Sequence, residues 1–317
     1  MRRAVSGLGG FATGLMLSLG LAGCNLASPE AGPSAEEPQV VVTSTVLANL
    51  VETVGGDEAV VQRLLAPGDD PHIYEPTPRD TVALEEADIV FYNGYNLEPE
   101  LIRIIEGTSV TAATVPLAES IPPLSFQYDG QTEPDPHVWG DVENAIALTE
   151  SIRDTLIDLN PDAEATYRAN AEALIAELAQ LDDWIETQVA TIPPEQRLLV
   201  TTHDAFQYYT NAYGLEMLGT LIGISTEEQP SAQTVQQLVD AIRTAGVPAI
   251  FAETTINPQL ISTVAEEANV QLAPTELYSD SLGAPGSSGE TYVGMMVSNT
   301  ETVVSALGGQ VQSFQSE

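Results

Sequence analysis

Residues 161–189, PDAEATYRANAEALIAELAQLDDWIETQV, carry the longest unbroken helical pattern in the chain. Pro161 suits a first helical position with Asn160 as the cap, because its missing N–H is one that a first turn leaves unpaired anyway. Leu174, Leu178, Leu181 and Ile185 recur at helical spacing and so share one face, and Pro193-Pro194 ends the run. The flanking sequence is of another kind. On both sides, short β-branched runs alternate with helical spacings, which is the pattern of parallel strands joined by crossover helices. A long striped helix between two such series predicts an α/β protein. It would have two (β/α)-type lobes with mainly parallel sheets, joined by one long helix buried against both.

Upstream of that helix, residues 39–43 read as a buried strand and residues 46–54 as a helix closed by Gly55-Gly56. A strand over residues 60–65, a helix over 79–87, a strand over 88–92 and a helix over 141–159 follow. Downstream, strands are expected over residues 198–202, 249–252 and 270–273. Helices are expected over 204–213, 231–245 (capped by Ser231 and closed by Gly246), 258–268 and 291–307. The organisation this implies is a leader over 1–23, a tether over 24–38, a first lobe over 39–160, the linking helix over 161–190 and a second lobe over 191–317.

The N-terminus reads as a targeting segment, with Arg2 and Arg3 before an apolar run over residues 11–21 that is too short to span a bilayer. It ends in Leu21-Ala22-Gly23-Cys24, which resembles the bacterial lipobox, where cleavage before the Cys is followed by lipidation of that Cys. Cys24 is the only cysteine, so no internal disulfide is available. Residues 25–38, rich in Ser, Pro, Ala, Gly and Glu, read as a flexible tether. The balance of 9 Lys+Arg, none of them Lys, against 46 Asp+Glu gives a net charge of −37 and excludes nucleic acid as a partner. The acids are spread along the chain and not gathered around the histidines, as on a solvated surface.

Only three histidines are present, and they recur at nearly equal spacing. His72 lies in Gly68-Asp-Asp-Pro-His-Ile-Tyr-Glu-Pro76 and His137 in Asp135-Pro-His-Val-Trp139; His203 ends the strand expected over 198–202. Proline fixes its own φ and extends the residue before it, so Asp-Pro-His presents an imidazole from a loop whose shape is set in advance. In open α/β sheets ligands bind at the carboxyl ends of strands, where His72 and His203 fall, while His137 stands just before the helix expected over 141–159. Asp280, in the turn Tyr278-Ser-Asp-Ser-Leu282, suggests itself as a further ligand, with Glu75 and Glu276 as alternative acids. Three imidazoles and one carboxylate make a four-coordinate site suited to a borderline ion such as Zn(II).

The lipobox, the two Asp-Pro-His stretches, Thr202-His-Asp-Ala-Phe206, Asp280-Ser-Leu-Gly283 and Thr291-Tyr-Val-Gly-Met-Met296 together resemble the metal-binding lipoproteins of bacterial ABC transporters for zinc and manganese. The resemblance covers nearly the whole mature chain. It implies two lobes on one rigid helix, with the metal in the cleft between them on His72, His137, His203 and Asp280. Members with His in the third ligand position look like zinc carriers, and members with Glu there look like manganese or iron carriers; this chain has His203. It lacks the His-rich loop of many zinc members, since residues 124–134 contain acids but no His.

The reading is therefore a non-enzymatic carrier that captures a divalent transition metal outside the cytoplasmic membrane, Zn(II) first and Mn(II) or Fe(II) as the alternative. Its expected partners are a membrane permease, the cytoplasmic ATPase of that permease and, through the lipid anchor, the membrane itself; the carrier is expected to be a monomer. A metallohydrolase would keep an open water position beside a general base, and a fourth protein ligand at Asp280 closes it. A lipid-anchored adhesin would need no buried metal.

Overall fold

The computed structural model describes residues 37–107, 110–128 and 131–315; the expected leader, the tether and Cys24 lie outside them. The first lobe is built on a sheet of four parallel strands in the order β2-β1-β3-β4. Its strands are β1 (Gln39–Val42), β2 (Val60–Arg63), β3 (Ile89–Tyr92) and β4 (Ala113–Pro116). Three helices connect them: α1 (Thr45–Gly55), α2 (Pro78–Glu86) and α3 (Pro99–Gly107). Local chemistry starts and stops these helices. Ser44 caps α1 by accepting from Leu47 N, and Gly56 takes a φ of 53° at its end. Thr77 and Asp80 form a capping box at α2, with Pro78 in the first turn.

A hairpin of β5 (Ser125–Tyr128) and β6 (Gln131–Pro134) leads into His137, where sequence reading had only an acidic loop. Helix α4 (Val142–Leu159) follows, capped by Asp141, which accepts from Glu143 N. The long helix α5 runs over Glu164–Val189. Residues 161–163 form a separate 3-10 turn before it, and Asn160 makes no side-chain cap bond, so the expected cap at Asn160 is not made. Buried Tyr167, Ala171, Leu174, Leu178, Leu181, Ile185 and Val189 form one stripe down α5.

The second lobe holds β7 (Leu198–Thr201), α6 (Gln207–Tyr213), β8 (Glu216–Thr220), α7 (Ala232–Ala245), β9 (Ala249–Ile250), α8 (Gln259–Ala268), β10 (Gln271–Leu272) and α9 (Tyr292–Ala306). β7 pairs with β8 and β9 with β10, both parallel, and Phe251 N donates to Val200 O at 2.9 Å between the two pairs. β8, β4 and α3 escaped sequence reading. The alternation of side chains across each sheet then decides the cores. Val40, Val42, Ile89 and Phe91 face α1, α4 and α5, while Val41, Val90 and Tyr92 face the opposite layer. In the second lobe Leu199 and Phe251 join the same central core, and Val200 and Ile250 join a separate one with α7 and α8. One apolar core thus runs from the first sheet through the stripe of α5 to the second. Among the described residues no helix is long and apolar enough to cross a membrane.

Candidate metal centre

Each histidine is placed by a carboxylate close to it. Asp70 Oδ1 accepts from His72 N at 2.9 Å, and Asp135 Oδ1 accepts from His137 N at 3.0 Å, so both Asp-Pro-His stretches close the same small turn. Asp135 does more: its Oδ1 also lies 2.8 Å from His137 Nδ1. His203 lies two residues past the end of β7, and Glu253 Oε1 accepts from Thr202 N and His203 N at 2.8 and 2.9 Å while its Oε2 bonds His203 Nδ1. A carboxylate on Nδ1 keeps a proton on that nitrogen, so that the proton an incoming ion displaces is the one on Nε2, whose lone pair is then aimed at the ion. The loop of His137 is tied to the sheet as well, since Asn93 Nδ2 donates to Pro136 O at 3.0 Å and Asn93 N donates to buried Glu98 Oε1 at 2.7 Å.

The four sequence-predicted residues His72, His137, His203 and Asp280 come together, two from each lobe. All are buried, and their ligand atoms lie within 4.8 Å of one another. His72 Nε2 is 3.3 Å from His137 Nε2; Asp280 Oδ1 is 3.3 Å from His137 Nε2, and Asp280 Oδ2 is 3.1 Å from His203 Nε2. Glu75 and Glu276, the alternative acids, are exposed and outside this cluster. His203 Nε2 and both oxygens of Asp280 are buried without a hydrogen-bond partner, which is costly unless something else satisfies them.

Charge divides the three rings. Burial, with no carboxylate on its own ring, takes His72 down to about 3, so it is neutral. Burial also opposes charge on His137 and His203, but Asp135 with Asp280, and Asp280 with Glu253, outweigh it. His137 is raised to about 9 and His203 well above its usual value. Burial would raise Asp280, but His203 and His137 hold it well below the usual carboxylate range. His72 also borders a cavity of about 700 Å³ whose wall carries Glu106, Glu119, Glu133, Glu227 and Glu228.

Asp135 and Glu253 were not read as functional from sequence. Asp135 stands in a quoted motif but passes for a loop stiffener. Glu253 has only the weak signal of an acid just past a strand end.

Two parallel α/β lobes on a shared helix, with donors from both lobes converging on one buried point, define a solute-binding protein of the metal-carrying kind. Residues 40–306 match the family described as zinc-uptake complex component A, periplasmic (ZnuA), and the chain belongs to that family. It is a metal-binding component of an ABC transporter and not an enzyme, and it is exported and anchored at the outer face of the membrane. Such a component serves a permease and its ATPase. The chain is 35% identical to the manganese-binding lipoprotein MntA of Halalkalibacterium halodurans, over 92% of this chain and 96% of the relative. It is 33% identical to the iron-binding protein YfeA of Yersinia pestis, over 89% and 90%. The solved periplasmic zinc-binding protein TroA of Treponema pallidum superposes with a TM-score of 0.81 at 33% identity, covering 86% of this chain and 99% of that one.

Proposed function

We propose that the chain captures Zn(II) on His72, His137, His203 and Asp280 and delivers it to its permease for import. One observation carries the reading. The ligand atoms of the four buried residues lie within 4.8 Å of one another, close enough for one ion to reach all four, and His72 Nε2 and His137 Nε2 stand 3.3 Å apart, the separation of two donors on a tetrahedral Zn(II) with bonds of about 2.0–2.1 Å. Three imidazoles and a single carboxylate also suit zinc better than manganese, which favours oxygen donors and binds more weakly at a given N/O site. The two lone acceptor oxygens of Asp280 and the aimed Nε2 of His203 are what a cation would satisfy.

Mn(II) is the second reading, favoured by the two relatives named manganese-binding, at 35% and 33% identity. Competition titration of untagged protein decides between them. Zn(II) is expected to displace Mn(II) at equal free concentrations, and equal affinity for the two ions overturns the zinc reading. The carrier is proposed to act as a monomer held at the membrane through lipid on Cys24, and Cys24→Ala protein that still partitions with membranes at the wild-type level overturns that attachment point.

A further inference from the structure

Asp280 is the candidate ligand with the least support of its own. No group outside the ligand cluster donates to either of its carboxylate oxygens, whereas His137 and His203 each have a carboxylate behind the ring. It also stands at the head of an irregular stretch, residues 278–291, that belongs to no helix or strand and contains Gly283, Gly286 and Gly289 with Pro285. Such a stretch can move without breaking a sheet or helix. The position of Asp280 is therefore set by the bonds of its neighbours.

Those bonds cross to the first lobe. Ser281 Oγ accepts from Gly68 N at 2.8 Å and lies 3.2 Å from Thr45 Oγ1, and Thr45 Oγ1 accepts from Leu282 N at 2.9 Å. On the other side of Asp280, Ser279 O accepts from Trp139 Nε1 at 3.0 Å. Gly68 opens the loop that carries His72, and Trp139 follows His137. The same bonds thus hold the carboxylate against two histidines of the opposite lobe. Thr45 and Ser281 are each 1% exposed, so water does not compete for this hydroxyl pair in the closed molecule. Thr45, in the first turn of α1, is fixed by the cap at Ser44 and cannot follow the loop if it leaves.

We propose that Thr45 and Ser281 form an interlobe latch that positions Asp280 in the ligand cluster, and that opening this latch is the step that sets how fast the ion leaves. The two side chains are positioning residues: they touch no ligand atom of the cluster and act through residues 281 and 282, on the C-terminal side of Asp280. The proposal rests on the metal-carrier reading above. The latch bonds are present when the site is closed and lost on the way out, so their removal acts on dissociation more than on association.

The test uses the protein loaded with Zn²⁺, mixed rapidly with excess chelator, and follows ion release in wild type, Ser281→Ala, Thr45→Val and Thr45→Ser. Ser281→Ala and Thr45→Val each remove two of these bonds and are each expected to release the ion about ten- to a hundredfold faster, at about three- to tenfold per lost hydrogen bond, with the association rate kept. Thr45→Ser, which restores the hydroxyl and not the methyl, is expected to release at the wild-type rate. Wild-type rates in both Ser281→Ala and Thr45→Val overturn the latch, and so does a Thr45→Ser rate equal to that of Thr45→Val, which would assign the effect to packing. Thermal midpoints of the metal-free variants within a degree or two of wild type support a positioning role over a general loss of stability. Wild-type protein that loses Zn²⁺ on gel filtration overturns the carrier reading itself, separately from any difference among the variants.

Discussion

Glu253 holds His203 at three points: its Oε1 accepts from the backbone N–H groups of Thr202 and His203, and its Oε2 bonds the imidazole Nδ1. The two backbone bonds fix the carboxylate, and the ring cannot turn without giving up its bond to that fixed group. Glu253→Gln keeps the shape and can keep the two backbone bonds through its carbonyl, but presents an amide N–H to Nδ1. The ring must then carry its proton on Nε2, where the ion would bind, or lose the contact. Zn²⁺ affinity is expected to fall by about 10- to 100-fold, measured by chelator competition. An unchanged affinity removes Glu253 from any role in aiming His203.

The protons on the empty site make affinity rise with pH well past the ordinary histidine range. His137, raised to about 9 by Asp135 and Asp280 against the effect of burial, holds a proton at neutral pH that an ion must displace, and His203 is shifted in the same direction. His72, lowered to about 3 by burial, has none to lose. Apparent Zn²⁺ affinity is expected to gain roughly tenfold per pH unit for each displaced proton, and to go on rising between pH 7 and 9. A curve already flat above the ordinary histidine value of about 6.5 contradicts this.

Glu98 predicts a pH dependence of the fold itself. It is 1% exposed, takes bonds from Thr43 Oγ1 and Asn93 N, and leaves Oε2 without a partner. Burial raises it from an ordinary 4.5 to about 7 although those bonds pull the other way. A carboxyl raised in the folded state stabilises below its unfolded value, and that contribution is lost as the pH climbs through the folded one. The stability of Glu98→Gln relative to wild type is therefore expected to increase by something of the order of 3 kcal/mol from pH 4.5 to 8, read from urea melts. A difference that stays constant with pH rules the explanation out.

Because a single apolar core passes from one sheet to the other along the stripe of α5, the lobes have little freedom to swing. A packed helix resists the large dihedral changes that a loop hinge absorbs, so metal-free and loaded proteins are expected to agree in radius of gyration to within about 1 Å by solution scattering. Opening by several ångströms would place a hinge in α5 that its packing does not reveal.

The histidines could be read in the sequence because rigid Asp-Pro-His turns and a strand end are local features, and local features fix where a side chain starts. The residues around Asp280 suggested it with Glu75 and Glu276 as alternatives, since nothing short-range separates the three acids, and the resemblance singled it out; in the fold it is the one of the three that lies among the histidines, held by the bonds of Ser281 and Leu282 to Thr45. Glu253 stayed hidden for the same reason. It lies fifty residues from His203 in the chain and meets it only through the pairing of neighbouring strands. The stripe of α5 was legible from Leu174 to Ile185, whereas its true start at Glu164 was not, because Pro161 is equally at home in a 3-10 turn. The hairpin before His137 has strands of only four residues each, and although Phe126 and Tyr128 alternate with polar residues in the first, the second, Gln131–Pro134, carries no apolar alternation to pair with it.

Trp139 lies against the ring of His137, centroids 5.4 Å apart and nearly perpendicular, and its indole N–H is bonded to the residue before Asp280. The chain has one other tryptophan, Trp184 on the long helix, which packs against Phe314 of the C-terminal stretch. The molecule therefore carries a native optical reporter: indole emission from Trp139 is expected to follow both the charge on a neighbouring imidazole and the seating of the Asp280 loop. Trp184 supplies an internal reference, so loading and unloading can be watched without attaching a dye.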